Sequence, residues 1–224
     1  MNSYTLVRSR RRTAVIYIRN GGVEVRAPLN MPKREIDKFV ASKNRWITER
    51  LAQSQAHAER RAAFSLNYGD TVTFRGGEHP LVAKNDRRAG FDSEHFYLPP
   101  GFTPEQIKQA VVRIYRLLSK RYFTERVAHY SELMGVAPTV LRISGAKTRW
   151  GSCSAKKSLN FSWRLALADD EVIDYVVVHE LAHIRELNHS PRFWAIVAGV
   201  LPDYKKRQAR LKDLQRRLSG EDWE

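Results

Sequence analysis

The stretch VVVHELAHIRELNHSPRFW, Val176 to Trp194, sets three histidines and a carboxylate where a single metal ion could use all of them. His179 and His183 are four apart, so on a helix they share one face, a turn apart, and both rings can reach one ion. Glu180, beside the first, is then placed to hold a water. The helix is expected to stop after Leu187, because Asn188 tolerates a left-handed conformation, Ser190 is a good N-cap and Pro191 suits the first position of a new helix. His189 falls in the corner, from which its side chain can turn back toward the first two. That would complete three protein ligands with a fourth position open to water, the pattern of a catalytic rather than a structural zinc.

Two histidines at helical spacing are often ordinary surface or core residues, and an HExxH match alone is weak. The preceding segment DDEVIDYVVV changes the weighing: acids suit a helix N-terminus, and the nearly all-round apolar run that follows belongs to a buried helix. Polar His-Glu-His inside a buried helix needs a reason, and metal binding supplies one.

With 224 residues and 42% hydrophobic content, the chain can form one sizeable core or two small domains. Its 39 Lys and Arg against 24 Asp and Glu leave +15, a field that favours polyanions without defining a site for one. The single cysteine, Cys153, excludes an internal disulfide; as a free thiol it is expected to be a small buried residue rather than a nucleophile or ligand. The opening MNSYTLVRSRRR lacks an apolar core and a small-residue cleavage site, so no signal peptide is read. No apolar run approaches the roughly 18 residues of a membrane span. A soluble cytoplasmic protein is expected.

Residues 13–29 alternate apolar and polar about Asn20-Gly21-Gly22, a β-hairpin signal. From Pro32 to about Arg61 one helical stripe runs through Ile36, Phe39, Val40, Trp46, Ile47 and Leu51, with basic residues mostly off it. A second hairpin is expected over residues 68–83 about Gly76-Gly77, followed by a polar loop. Thr103-Pro104-Glu105-Gln106 reads as a capping box that opens a long helix ending at Gly135; His129 within it is an ordinary helix residue. A short strand at Val140–Ile143, a Gly/Ser/Lys loop and an alternating strand at 159–165 lead into the histidine helix, and two further helices follow, the last one basic. The expected class is α+β: an N-terminal β-hairpin and helix region over residues 1–100, then a metal-dependent hydrolase domain over 101–224.

RWGSC at 149–153, a strand carrying Asn160 and Trp163, HELAH at 179–183 and NHSPRFW at 188–194 together resemble the YgjP-like metallopeptidase-domain family, zinc-dependent hydrolases related to the SprT-like and WLM proteases. The specific likeness covers about Leu141 to Trp194. It implies a zincin-like catalytic fold, with His179, His183 and His189 matching the zinc ligands and Glu180 the catalytic glutamate. Metzincins share the HExxH-x5-H spacing but have glycine where this chain has Glu186, which argues against a metzincin proper. The resemblance leaves the substrate open.

In such a site Glu180 would accept a proton from the attacking water and pass it to the leaving group. Arg149, Asn160 and Tyr204 are loose candidates for stabilising the oxyanion. The strand at 159–165 could pair with an extended peptide, which favours a peptide or protein substrate. The competing expectations are a nucleotide or phosphoanhydride hydrolase, suited by the basic surface, and a nucleic-acid-binding module with structural zinc, for which Glu180 would be superfluous. Other acids after His183 are less suited as the third ligand: Glu186 lies roughly 10 Å along the helix from His179, and Asp203 is better placed to cap the last helix.

Overall fold

The computed structural model describes residues 3–19 and 21–223. They form six α-helices and three small sheets, a mixed α+β architecture. The chain divides into two compact units, residues 1–64 with 219–222, and residues 65–218 with 223–224.

In the first unit β1 (Thr5–Ser9), β2 (Val15–Arg19) and β3 (Gly22–Pro28) form a sheet of order β1-β3-β2, with β3 central. Strands β2 and β3 are the expected hairpin; Gly21 has the positive φ (71°) of its turn, while Asn20 lies outside the described residues. Ile16, Val23, Val25 and Ala27 alternate onto one face of the sheet and close a core with Ile36, Val40 and Ile47. The expected single helix from Pro32 to Arg61 is two, α1 (Lys33–Ser42) and α2 (Asn44–Ala63), broken at Lys43. Ser42 turns its hydroxyl back to the Phe39 carbonyl at 2.7 Å, the local bonding that makes serine and asparagine poor helix interiors.

The second unit begins with β4 (Thr71–Phe74), β5 (Gly77–Ala83), β6 (Gly90–Phe91) and β7 (Phe96–Leu98), in the order β4-β5-β7-β6. Arg75 and Gly76, both at positive φ, make the tight turn of the β4-β5 hairpin. Sequence placed these strands with the N-terminal region, ending it at residue 100, whereas the compact units divide after Phe64. The strands are held by α3 (Pro104–Met134): the ring of Tyr115 packs 5.3 Å from Phe96, and its hydroxyl donates to the Thr73 carbonyl at 2.6 Å. Helix α3 starts at the expected capping box of Thr103 and Gln106 and ends at Gly135 in the left-handed conformation. His129 stays an ordinary helix residue, edge-on to Tyr130.

The third sheet lies in the same unit. Strand β8 (Val140–Ser144) runs parallel to β10 (Ser158–Ser162), and β9 (Gly151–Cys153), inside the expected loop, is antiparallel to β10. After Ser162 the chain enters a 3₁₀ helix, Trp163–Leu167, rather than continuing as a strand to 165. The Ser162 hydroxyl starts that turn, accepting from the Arg164 amide at 3.4 Å and donating to the Ala146 carbonyl at 2.7 Å. Helices α4 (Asp170–Ala182), α5 (Pro191–Val200) and α6 (Tyr204–Leu218) complete the unit. No helix among the described residues is long and apolar enough to cross a membrane.

Candidate metal centre

Helix α4 is buried nearly all round, as its apolar run demands, with Val172, Ile173, Val176, Val177, Val178 and Leu181 in the core. Its N-terminus is fixed by ions and caps. Asp169 accepts from the Val172 amide at 3.1 Å, and Asp170 accepts from Arg75 at 2.7 and 2.5 Å. Asp174 accepts both arms of the Arg126 guanidinium, at 2.6 and 2.7 Å, and the Tyr130 hydroxyl at 2.9 Å, tying α4 to α3.

At the other end the helix stops earlier than expected, at Ala182, with His183 as C-cap. The Ile184 and Arg185 amides bond three residues back instead of four, and Arg185 reaches the Met134 and Gly135 carbonyls at the end of α3. Asn188 is not in the left-handed region; the corner is made by these tightened turns and the Arg185 anchor, so no such cap is needed. Leaving the helical path brings the Glu186 carbonyl to 3.1 Å from His183 Nδ1. With that nitrogen donating, Nε2 of His183 is left with a free lone pair, the tautomer a metal ligand needs. Glu186 thus acts through its backbone. Ser190 accepts from the Phe193 amide at 3.3 Å and Pro191 opens α5, as the sequence suggested.

The corner returns His189 to the other two. Ring nitrogens of His179, His183 and His189 lie within 4.8 Å of one another, and Nε2 of His189 is 3.0 Å from Nε2 of His179. Two imidazole nitrogens facing each other at that distance need a proton or a cation to share. Burial, then the neighbouring histidine charges, pushes His179 down to about 3, and burial lowers His183, so a shared proton is disfavoured where a neutral donor set for a divalent cation is not. The buried Nδ1 of His179 has no hydrogen-bond partner. The residues therefore fit a metal ion of the kind that takes imidazole ligands.

Phe193, fully buried in the first turn of α5, packs its ring 4.6–4.9 Å from all three imidazoles and forms the floor beneath them. Trp194 stacks on His189 at 5.7 Å, and Tyr204 stacks on Trp194 at 5.2 Å. Sequence reading placed Phe193 and Trp194 within NHSPRFW without giving either a part in the site. The Pro191 start, which puts both residues into the turn facing the histidine corner, is the signal that could have found them.

Glu180 is 6% exposed and, among the described residues, has no ionic partner in contact. Burial pushes its carboxyl up to about 8, against the weaker pull of the Arg149 charge. Strand β9 lies directly on it: a Cβ added to Gly151 would sit 2.6 Å from Glu180 Oε1, so this glycine is what permits the approach. Gly151, too, went unrecognised, hidden within RWGSC. Of the other expected participants, Arg149 is exposed two residues before β9 and Tyr204 is part of the aromatic stack. Asn160 alternates away from Phe161, the neighbour of Gly151 in register, and so lies on the face of the sheet opposite Glu180. Cys153 is half-buried, its thiol pushed up by burial and by Glu180. Asp203 takes Arg207 at 2.9 and 3.0 Å and stands apart from the histidine group. Strand β10 has partners on both edges and cannot accept a peptide; among the described residues β8 and β9 are the two edge strands of this sheet, and β9 is the one that lies on Glu180.

The family whose model matches the chain is described as YgjP-like, metallopeptidase domain, over residues 12–214. No curated protein matches. Among solved structures, the metallopeptidase zymogen of Pyrococcus abyssi abylysin is 22% identical over 45% of this chain and 98% of its own, with a TM-score of 0.39. The metallopeptidase zymogen of Methanocaldococcus jannaschii jannalysin is 22% identical over 42% of this chain and 95% of its own, with a TM-score of 0.37.

Proposed function

Since the chain belongs to the YgjP-like metallopeptidase-domain family, we propose that it is a zinc-dependent peptidase with a zincin-like catalytic unit. In this reading His179, His183 and His189 hold the ion and Glu180 is the general base. The observation that carries it is the convergence of three imidazoles beside a buried carboxylate that no cation in contact neutralises. Zinc, when bound, would supply Lewis acidity and a water acidified toward neutrality. Glu180, held against Gly151, would take the proton of the attacking water and return it to the leaving amine. A structural metal would have no use for such a carboxylate and would call for a fourth protein ligand.

An extended peptide would add to the free edge of β9, where its backbone finds unpaired hydrogen-bonding groups next to Glu180. The polyanion contact anticipated from net charge belongs, in this reading, to the first unit, whose residues 1–64 hold fourteen Lys and Arg against five acids. Its supporting feature is Tyr17, with the Arg19 and Arg26 guanidiniums 4.9 and 5.3 Å from its ring centre.

The test is a mass-spectrometric search for cleaved peptides in a denatured proteome treated with zinc-loaded protein, with Glu180→Gln as control. New termini made by the wild type alone are expected. Identical peptide sets from both proteins overturn the peptidase reading.

A further inference from the structure

The outer face of the β8-β10-β9 sheet is polar in a way the reaction itself does not need. Arg142, Asn160 and Ser152 stand opposite one another in register across the three strands, so their side chains form one row. Ser144 and Ser158, two residues along their strands, extend the same face. With Arg149 they line a groove of about 540 Å³ that no acidic residue enters.

Its cations are uncommitted. Most arginines of the chain that lie near an acid are paired, as Arg75, Arg126, Arg207 and Arg210 are. Arg142 has no hydrogen-bond or ion-pair partner among the described residues, and Arg149 only feels the charge of Glu180 without touching it. Two unpaired guanidiniums, an amide and serine hydroxyls around one concavity make a donor-rich site whose complement is an oxyanion.

The groove also has a fixed relation to the cleft. Gly151 of β9 faces inward beside Phe161 and lies on Glu180, while Ser152 faces outward into the groove. A peptide added to the β9 edge would send successive side chains to opposite faces of the sheet. The residue beside the one over Glu180 would therefore point its side chain to the outer face, over Ser152 and into the groove that Arg149 also lines and whose far side is Arg142 on β8, two strands beyond β9.

We propose that this groove is a specificity subsite for a carboxylate or phosphate on the substrate side chain next to the scissile bond, with Arg142 and Arg149 as its determinants. The proposal rests on the peptidase reading for its register, but its test does not require turnover. Zinc-loaded Glu180→Gln protein is titrated with three otherwise identical fluorescent extended peptides whose central residue is glutamine, glutamate or phosphoserine, in the Arg142 background and in Arg142→Gln, Arg149→Gln and Arg142→Lys.

At least a roughly tenfold preference for one or both charged peptides over glutamine is expected, in the range of one charge-assisted hydrogen bond. It should weaken with salt, fall in Arg142→Gln and Arg149→Gln, and be kept in part by Arg142→Lys. Preference for glutamate alone assigns the carboxylate, and preference for phosphoserine alone assigns the phosphate. Equal binding of all three peptides, or a preference that Arg142→Gln leaves unchanged, overturns the subsite. A retained preference with no proteome cleavage by the wild type would sink the peptidase reading and leave the subsite standing.

Discussion

Asp174 and Glu180 are two carboxylates on one helix, six residues apart and almost equally buried, at 8% and 6% exposure. Asp174 receives a forked guanidinium and a tyrosine hydroxyl, so its charge is held by three donated hydrogen bonds. Glu180 receives a glycine backbone against its side chain and a remote arginine, and its carboxyl is pushed up to about 8 instead. A buried charge with full partners is architecture; one left without them is kept at a cost in stability, and such groups gather where chemistry is done. The two halves of α4 thus divide the labour: the first half fastens the helix to α3 and to the β4-β5 turn, and the second half presents His179 and Glu180 to the corner.

The contrast is broken most severely at the corner. Replacing His189 by alanine should lower zinc affinity by more than about 100-fold, beyond what changes outside the ligand set usually cost, and abolish hydrolysis. Asp203→Ala, which removes one of the partners of Arg207, should leave zinc bound. Isothermal titration of the two variants decides the matter, and zinc lost with Asp203 but kept without His189 would refute the ligand assignment.

The next effect should appear at the fastened end. Asp174→Asn leaves the Arg126 cation short of its counter-charge in a mostly buried setting, and a loss on the order of 3 kcal/mol is expected. Urea midpoints measure it, with Glu180→Gln as the partner experiment. Because Glu180 has no ionic partner to lose, that change should cost far less at neutral pH. Equal losses in the two variants would mean the carboxylates are not in the different states described.

Much of this was legible in sequence because it is local. The Thr103 capping box, the left-handed Gly135, the Ser190-Pro191 start of α5 and the four-residue spacing of His179 and His183 are each written within a few residues. The return of His189 was legible as well, although its means were misread: the helix gives way at His183 through i−3 bonds and an Arg185 anchor on Gly135, fifty residues away, not through Asn188. What stayed hidden depends on non-local packing. Nothing near Gly151 says that a carboxylate will lie on it, and nothing in residues 71–98 says that Tyr115 will claim them for the second unit. The break at Lys43 was missed for a different reason, since the apolar stripe continues in phase from Val40 to Ile47 and Leu51 while the backbone between them does not.

The smallest expected effect sharpens the comparison most, because it reads the state of Glu180 directly in the metal-free protein. In the folded chain His179 titrates at about 3 against 6.5 when unfolded, so the unfolded state binds the extra proton between those values and stability rises with pH across that window. His183, also lowered, adds a rise of the same sign just below 6.5. Glu180 runs the other way: with its carboxyl at about 8 against 4.5, the folded state holds the extra proton, and stability falls as pH climbs from 4.5 to 8. Between 4.5 and 6.5 the opposing slopes of His179 and Glu180 cancel, leaving the small rise from His183. Above 6.5 only the Glu180 slope remains, which approaches about 1.4 kcal/mol per pH unit and amounts to roughly 2 kcal/mol by pH 8. Paired acids such as Asp170, held below their usual range, have finished titrating well before this window and do not contribute. Urea midpoints of chelator-treated protein should therefore peak near pH 6.5 and decline above it, whereas Glu180→Gln should stay level from 6.5 to 8. Parallel curves for the two proteins would mean that Glu180 already has a partner for its charge, and the distinction from Asp174 would be lost.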